Sequence, residues 1–95
     1  LITHLVFFKL KDRSPEQIAA AVSVLKDMEG RIDGLLSLEV GADIVRSPRS
    51  YDIALVAKFA SMEALSAYQV HPVHQKVVAY MNQVGESSAS VDYES

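Results

Sequence analysis

The stretch AYQVHPVHQK, residues 67–76, gathers Tyr68, His71 and His74 around Pro72. A tyrosine hydroxyl and an imidazole are the pair that proton transfer beside a carbonyl needs. The histidine takes the proton, and the tyrosine donates a hydrogen bond to the developing enolate or aldehyde oxygen. A third histidine, His4, lies in the apolar N-terminal segment. Two imidazoles at i and i+3 could instead seat a metal ion. Pro72 interrupts the helix that would hold them on one face, and no third ligand is evident nearby, so no metal and no cofactor is expected. Each residue also has an ordinary reading: Tyr68 as a core aromatic, His71 as a helix-ending hydrogen-bonding group, His74 as a packed histidine.

Other chemistries find little support. The chain has no cysteine, which removes disulfides, thiolate nucleophiles and cysteine zinc sites and suits a reducing, cytoplasmic setting. No glycine-rich phosphate loop, nucleophile elbow or dinucleotide fingerprint is present. A formal charge of -3 offers no basic field for a phosphate backbone, so nucleic acid is not an expected partner. No apolar run approaches the roughly 20 residues of a membrane span. The opening LITHLVFFKLK resembles a signal core only briefly and reads as a strand. Arg46 and Arg49 flank a polar turn and could attract an anion, but a solvated loop is the plainer reading. Glu39, Asp43 and Asp52 read as exposed, at strand edges.

The elements that must position the histidines follow from periodicity and punctuation. β-branched and aromatic residues predict a strand from Ile2 to about Lys11. Ser14, Pro15 and Gln17 form a helix start with a capping box. Ile18, Ala21, Val22, Leu25 and Met28 recur at helical spacing, and Gly30 or Gly34 ends the unit. A second strand runs from about Leu35 to Ala42, with Leu36, Leu38 and Val40 on one face. A third, YDIALVAKFA, sets Tyr51, Ile53, Leu55, Ala57 and Phe59 on one face. Ser61 caps a helix that must break before Pro72. A further helix runs to Val84, Gly85 stops it, and SASVDYE is a short last strand. The 95 residues read as one domain of order β-α-β-β-α-β, with its second helix in two pieces. That is the ferredoxin-like α+β pattern, an antiparallel sheet with helices on one face.

Both faces of the first strand are apolar, yet helices can cover only one. Leu5 and Phe7 oppose His4, Val6 and Phe8, so whichever side the helices take leaves a patch of the kind that marks an interface. The expected remedy is a homodimer with its sheets face to face. If the even face meets the helices, His4, Tyr68 and His74 converge on one pocket between sheet and helix, with the character of a small-molecule site.

The stretches HLVFFKLK, DGL, YDIALVAKFASMEALSAYQVHPVHQKV and VDYE, spanning most of the chain, resemble the stress-responsive A/B barrel (Dabb) family. The resemblance implies a ferredoxin-like fold whose dimers join two sheets into an α/β barrel. Plant members include stress-induced proteins and a polyketide cyclase that closes a ring by an aldol-type step, with a histidine base aided by a tyrosine. On that likeness Tyr68 and His74 match the catalytic pair, and His4 and His71 match histidines at the ligand site, His71 in a more structural role. Asp92 matches a common family acid that fixes the last strand. Three functions stay open: a small-ligand binding or stress-related module, a cofactor-independent cyclase, lyase or isomerase, and a purely structural oligomer.

Overall fold

The computed structural model describes residues 1–95. Its elements are β1 (Ile2–Leu10), α1 (Pro15–Lys26), β2 (Leu35–Ala42), β3 (Ile53–Phe59), α2 (Met62–Val70), α3 (Pro72–Val84) and β4 (Gly85–Glu94). The strands form one antiparallel sheet in the order β2-β3-β1-β4. β3 inserts between β1 and β2, which is the split βαβ arrangement of the ferredoxin-like fold.

The caps sit where the sequence puts them. Ser14 accepts a hydrogen bond from the Gln17 backbone N–H at 3.2 Å, and Ser61 does the same for Ala64 at 3.2 Å. Each satisfies one of the orphan donors of a helix start. The Gln17 amide does not close the capping box; it reaches across to the Tyr80 hydroxyl at 3.1 Å. α1 ends at Lys26, earlier than the glycines suggest. Two further turns, through Gly30 and Gly34 at positive φ, lead into β2. Gly85 closes α3 for a steric reason: a Cβ there would lie 2.5 Å from the Met81 carbonyl oxygen. β4 begins at this residue, three positions before the expected SASVDYE strand.

The helices pack on the face of the sheet that carries Ile53, Leu55, Ala57 and Phe59, all buried. Ile18, Ala21, Leu25 and Met28 meet them from the α1 side, and Leu65, Tyr68, Val77 and Met81 from α2 and α3. The open face carries Leu5, Phe7, Val56, Val91 and Tyr93, with Phe7, Val91 and Tyr93 exposed at 40%, 57% and 47%.

Three expectations are corrected. Leu36 is not an inward residue of β2: the β2–β3 register shifts between Leu35 and Ser37, and the bulge turns Leu36 out to 56% exposure. Tyr51 does not join the inward face of β3. It precedes the strand, and its ring lies 6.1 Å from that of Phe7 on the open side. Asp52 is not exposed but wholly buried. Its carboxylate accepts from the Leu10 N–H at 2.8 Å, Arg13 Nε at 2.9 Å and Arg46 Nη2 at 2.8 Å. This tie joins the end of β1 to the β2–β3 hairpin, where Asp43 also accepts from the Arg46 N–H at 2.7 Å. Arg46 and Asp43 thus brace the turn. Burial alone would raise the Asp52 pKa, but the hydrogen bonds from Leu10, Arg13 and Arg46 hold it below its usual range.

Candidate functional site

Pro72 sets the geometry of the site. It denies His71 helical backbone angles, and His71 sits at φ −67°, ψ 136° between α2 and α3. The chain turns there and restarts with Pro72 at the first helical position. His71 caps the new helix: its Nδ1 accepts from the Val73 N–H at 3.1 Å. It is not among the residues lining the cavity described next. The ligand-contacting position that sequence likeness gives it is thus occupied by a cap.

Tyr68, one turn before the break, is 1% exposed. His74, just after it, is half-buried. Their ring centroids are 4.1 Å apart. The Tyr68 ring also meets His4 at 6.0 Å and Phe59 at 4.9 Å. His4, Tyr68 and His74 therefore line one cavity of about 280 Å³ between the sheet and the helices, floored by Val6 and Leu55. The inward face of α3 centres on Val77 and Met81, with His74 at its flank.

The electrostatics differ from residue to residue. Burial pushes the Tyr68 hydroxyl up to about 12, so it stays protonated at neutral pH and keeps a proton to donate. Its present acceptor is the Met28 sulfur at 4.0 Å, a weak partner that a carbonyl oxygen could displace. Burial lowers the His74 pKa; the hydrogen bond to Gln69 works against this, and the nearby His4 and His71 add to the lowering. His74 Nδ1 lies 3.3 Å from the Gln69 carbonyl oxygen. A carbonyl only accepts, so the proton is on Nδ1 and the Nε2 lone pair is free. His4 is held from the other side: its Nδ1 donates to the Asp92 carboxylate across the β1–β4 ladder. This partnership depends on strand register, which pairs His4 with Asp92.

The arrangement thus offers one hydrogen-bond donor, one neutral imidazole with a free lone pair and one imidazole fixed by a carboxylate, in a chamber of mixed lining without a charged Lys, Arg, Asp or Glu. No three imidazole or carboxylate groups converge as metal ligands. A larger groove of about 560 Å³ runs between α1 and α3, with Ser23, Asp27, Arg31 and Lys76 on its walls. It has no histidine or tyrosine. Met28 and Val77 line both spaces.

The model of the Stress responsive A/B Barrel Domain matches residues 2–95. An uncharacterized protein of Streptomyces coelicolor is 35% identical over 82 residues, covering 83% of this chain and 84% of that protein. A stress-response A/B barrel domain-containing protein of Arabidopsis thaliana is 28% identical over 98 residues. That alignment covers 98% of this chain and 46% of the plant protein, so this chain spans less than half of that relative. Among solved structures, a dimeric ferredoxin-like protein of unknown function from Thermobifida fusca superimposes with a TM-score of 0.87 at 26% identity. It covers 99% of this chain and 90% of that one.

Proposed function

The chain belongs to the stress-responsive A/B barrel family, and on that premise we propose that it is a homodimer whose internal cavity binds a small, uncharged organic compound. Family membership carries the fold and not a reaction, so the ligand reading stands on the cavity itself. The observation that carries it is the lining. His4, Tyr68 and His74 share one chamber with apolar residues such as Val6, Leu55 and Met81 and with the uncharged Gln69, Asn82, Ser88 and Ser90, and no Lys, Arg, Asp or Glu lines it. An anionic ligand would find no permanent counter-charge there, and burial of its charge would cost several kcal/mol on the order expected for an unpaired ion.

The dimer is supported by the open sheet face, where Leu5, Phe7, Val56 and Val91 have no covering element. The Thermobifida relative is itself described as dimeric. No helix is long and apolar enough to cross a membrane. A cytoplasmic location belongs to the same proposal and rests on the cysteine-free composition.

One observation favours a second reading, in which the site catalyses proton transfer without a cofactor, as a cyclase, lyase or isomerase. Tyr68 is a permanent donor and His74 a neutral base, ring against ring at 4.1 Å. His74 would abstract a proton α to a carbonyl through Nε2, and Tyr68 would stabilise the oxyanion. The test has two arms. A library of neutral carbonyl and phenolic compounds is screened by NMR shift perturbation of the Tyr68, His74 and Val6 signals; a purely structural oligomer gives none. Any compound that binds and turns over is then tried on His74→Gln. Loss of turnover with retained binding establishes the catalytic reading, and unchanged turnover removes it.

A further inference from the structure

The β2–β3 connection holds two apolar side chains in solvent. Ile44 and Val45 are 91% and 74% exposed, on a turn where Gly, Asn, Asp or Ser is the usual choice. The turn is not slack. Arg46 sits at φ 57°, a left-handed conformation unfavourable for a residue with a Cβ. Asp43 accepts from its N–H at 2.7 Å, and Asp52 accepts from its Nη2 at 2.8 Å. A turn braced in this way presents Ile44 and Val45 with little ordering left to lose on contact. Beside them, Arg49 is exposed and has no carboxylate partner.

The opposite edge of the sheet lacks a cover. β4 is an edge strand, exposed from Glu86 to Glu94, and a long bare edge invites pairing with another strand. The cavity that holds Tyr68 and His74 opens on this side, between α3 and β4, where Asn82, Ser88 and Ser90 of its lining are exposed. Outside it, Phe8, Asn82, Glu86 and Ser88 continue into a hollow of about 400 Å³. Glu86 has no cationic partner within the chain.

Two-fold symmetry connects these edges. A face-to-face dimer can have its axis along the strands or across them. The open face carries the rows Gly41–Ala54–Phe7–Ala89 and Glu39–Val56–Leu5–Val91. An axis along the strands lays each row on its own reverse. Phe7, 40% exposed, then lies over Ala54 of the second copy and next to Gly41, where a Cβ would meet nothing within 4 Å. An axis across the strands lays β2 on β2, brings Glu39 towards its own copy and takes Phe7 away from Ala54. The first arrangement is the complementary one, and it sets β2 of one copy beside β4 of the other. β2 and β4 run in opposite directions, so the contact is antiparallel. Gly41 stands level with Ala89, and the hairpin beyond Ala42 is carried past Ser88 to Glu86.

We infer that the β2–β3 hairpin of one copy closes the cavity mouth of the other, with Ile44 and Val45 over the gap between α3 and β4 and Arg49 paired with Glu86 across the interface. Each site is completed by the second copy. The inference rests on the homodimer proposed above.

The chain has no cysteine, so Pro48→Cys carries a single nitroxide label and leaves Ile44, Val45 and Arg49 in place. Labelled chain without nitrogen-15 is mixed with nitrogen-15 parent chain, so that only contacts between copies broaden the observed signals. The strongest broadening is expected at Asn82, Glu86 and Ser88, with Ser61 and Tyr93 at the far end of the sheet spared. Any other pattern, or none, in a chain that light scattering reports as dimeric overturns the closure while leaving the dimer intact. A monomeric parent chain removes the dimer and the closure together. Arg49→Glu and Glu86→Arg should each weaken the dimer roughly tenfold, because two-fold symmetry repeats the like-charge contact. Combining them should restore it. Single reversals that leave the dimer unchanged, or a double reversal no better than either, overturn the pairing.

Discussion

The rings of Tyr68 and His74 face each other at 4.1 Å, tilted by 40°, across a break that Pro72 makes between two helices. Were the helix continuous, residues six apart would point to different sides of it, roughly 600° of rotation from one another at 100° per residue. The break turns both into one chamber. The proline thus creates the juxtaposition on which the candidate chemistry depends.

The lowered His74 pKa makes a stability prediction. A histidine whose folded pKa lies below its unfolded value binds fewer protons when folded, so stability is full above about 6.5 and falls as pH drops through the folded value. Urea denaturation from pH 7.5 to pH 4.5 should show this loss. His74→Gln should flatten it, whereas a slope unchanged in the variant would place its origin elsewhere. Asp52 does not interfere in this window, because its lowered pKa acts only below 3.8.

Asp52→Asn should destabilise the fold by about 2–3 kcal/mol. It weakens a buried carboxylate that three donors share, and the half-exposed arginines keep the loss below that of a fully dry ion pair. Chemical denaturation at pH 7 measures it. The same substitution should broaden the NMR signals of the hairpin around Arg46, because that turn is braced through Asp52.

His71→Ala should cost about 1 kcal/mol, the usual worth of an N-cap, whereas His71→Asn should recover most of it. Cavity binding should persist in both variants, since His71 does not line the chamber. Abolished binding in a folded His71→Asn protein would return His71 to the ligand site.

Val91→Glu puts a charge on the open face, on the edge strand β4 beside Leu5. Light scattering should report a monomer where the parent chain is a dimer. A dimer that survives this change would mean that the sheet face is not the contact.

Much of the fold was legible because local and global signals agree. Ser14 and Ser61 were readable as caps, Pro72 as a break, and the alternation of Ile53, Leu55, Ala57 and Phe59 as a buried face. The convergence of His4, Tyr68 and His74 followed from those elements. What escaped depends on partners distant in sequence. Asp52 looks like a surface acid until Arg13 and Arg46 are brought to it by the fold. Leu36 fits a plain alternation that only a register shift breaks. The Asp92 partnership requires the β1–β4 pairing, which no local pattern specifies.

The central claim is that Tyr68 and His74 share one desolvated chamber. Nitrogen-15 NMR titration of the three histidines, in the parent chain and in Tyr68→Phe, tests it most directly. The account predicts that His74 titrates below 6.5 and that its titration and ring shifts respond to loss of the Tyr68 hydroxyl. A His74 that titrates as a free imidazole and ignores Tyr68→Phe would contradict it.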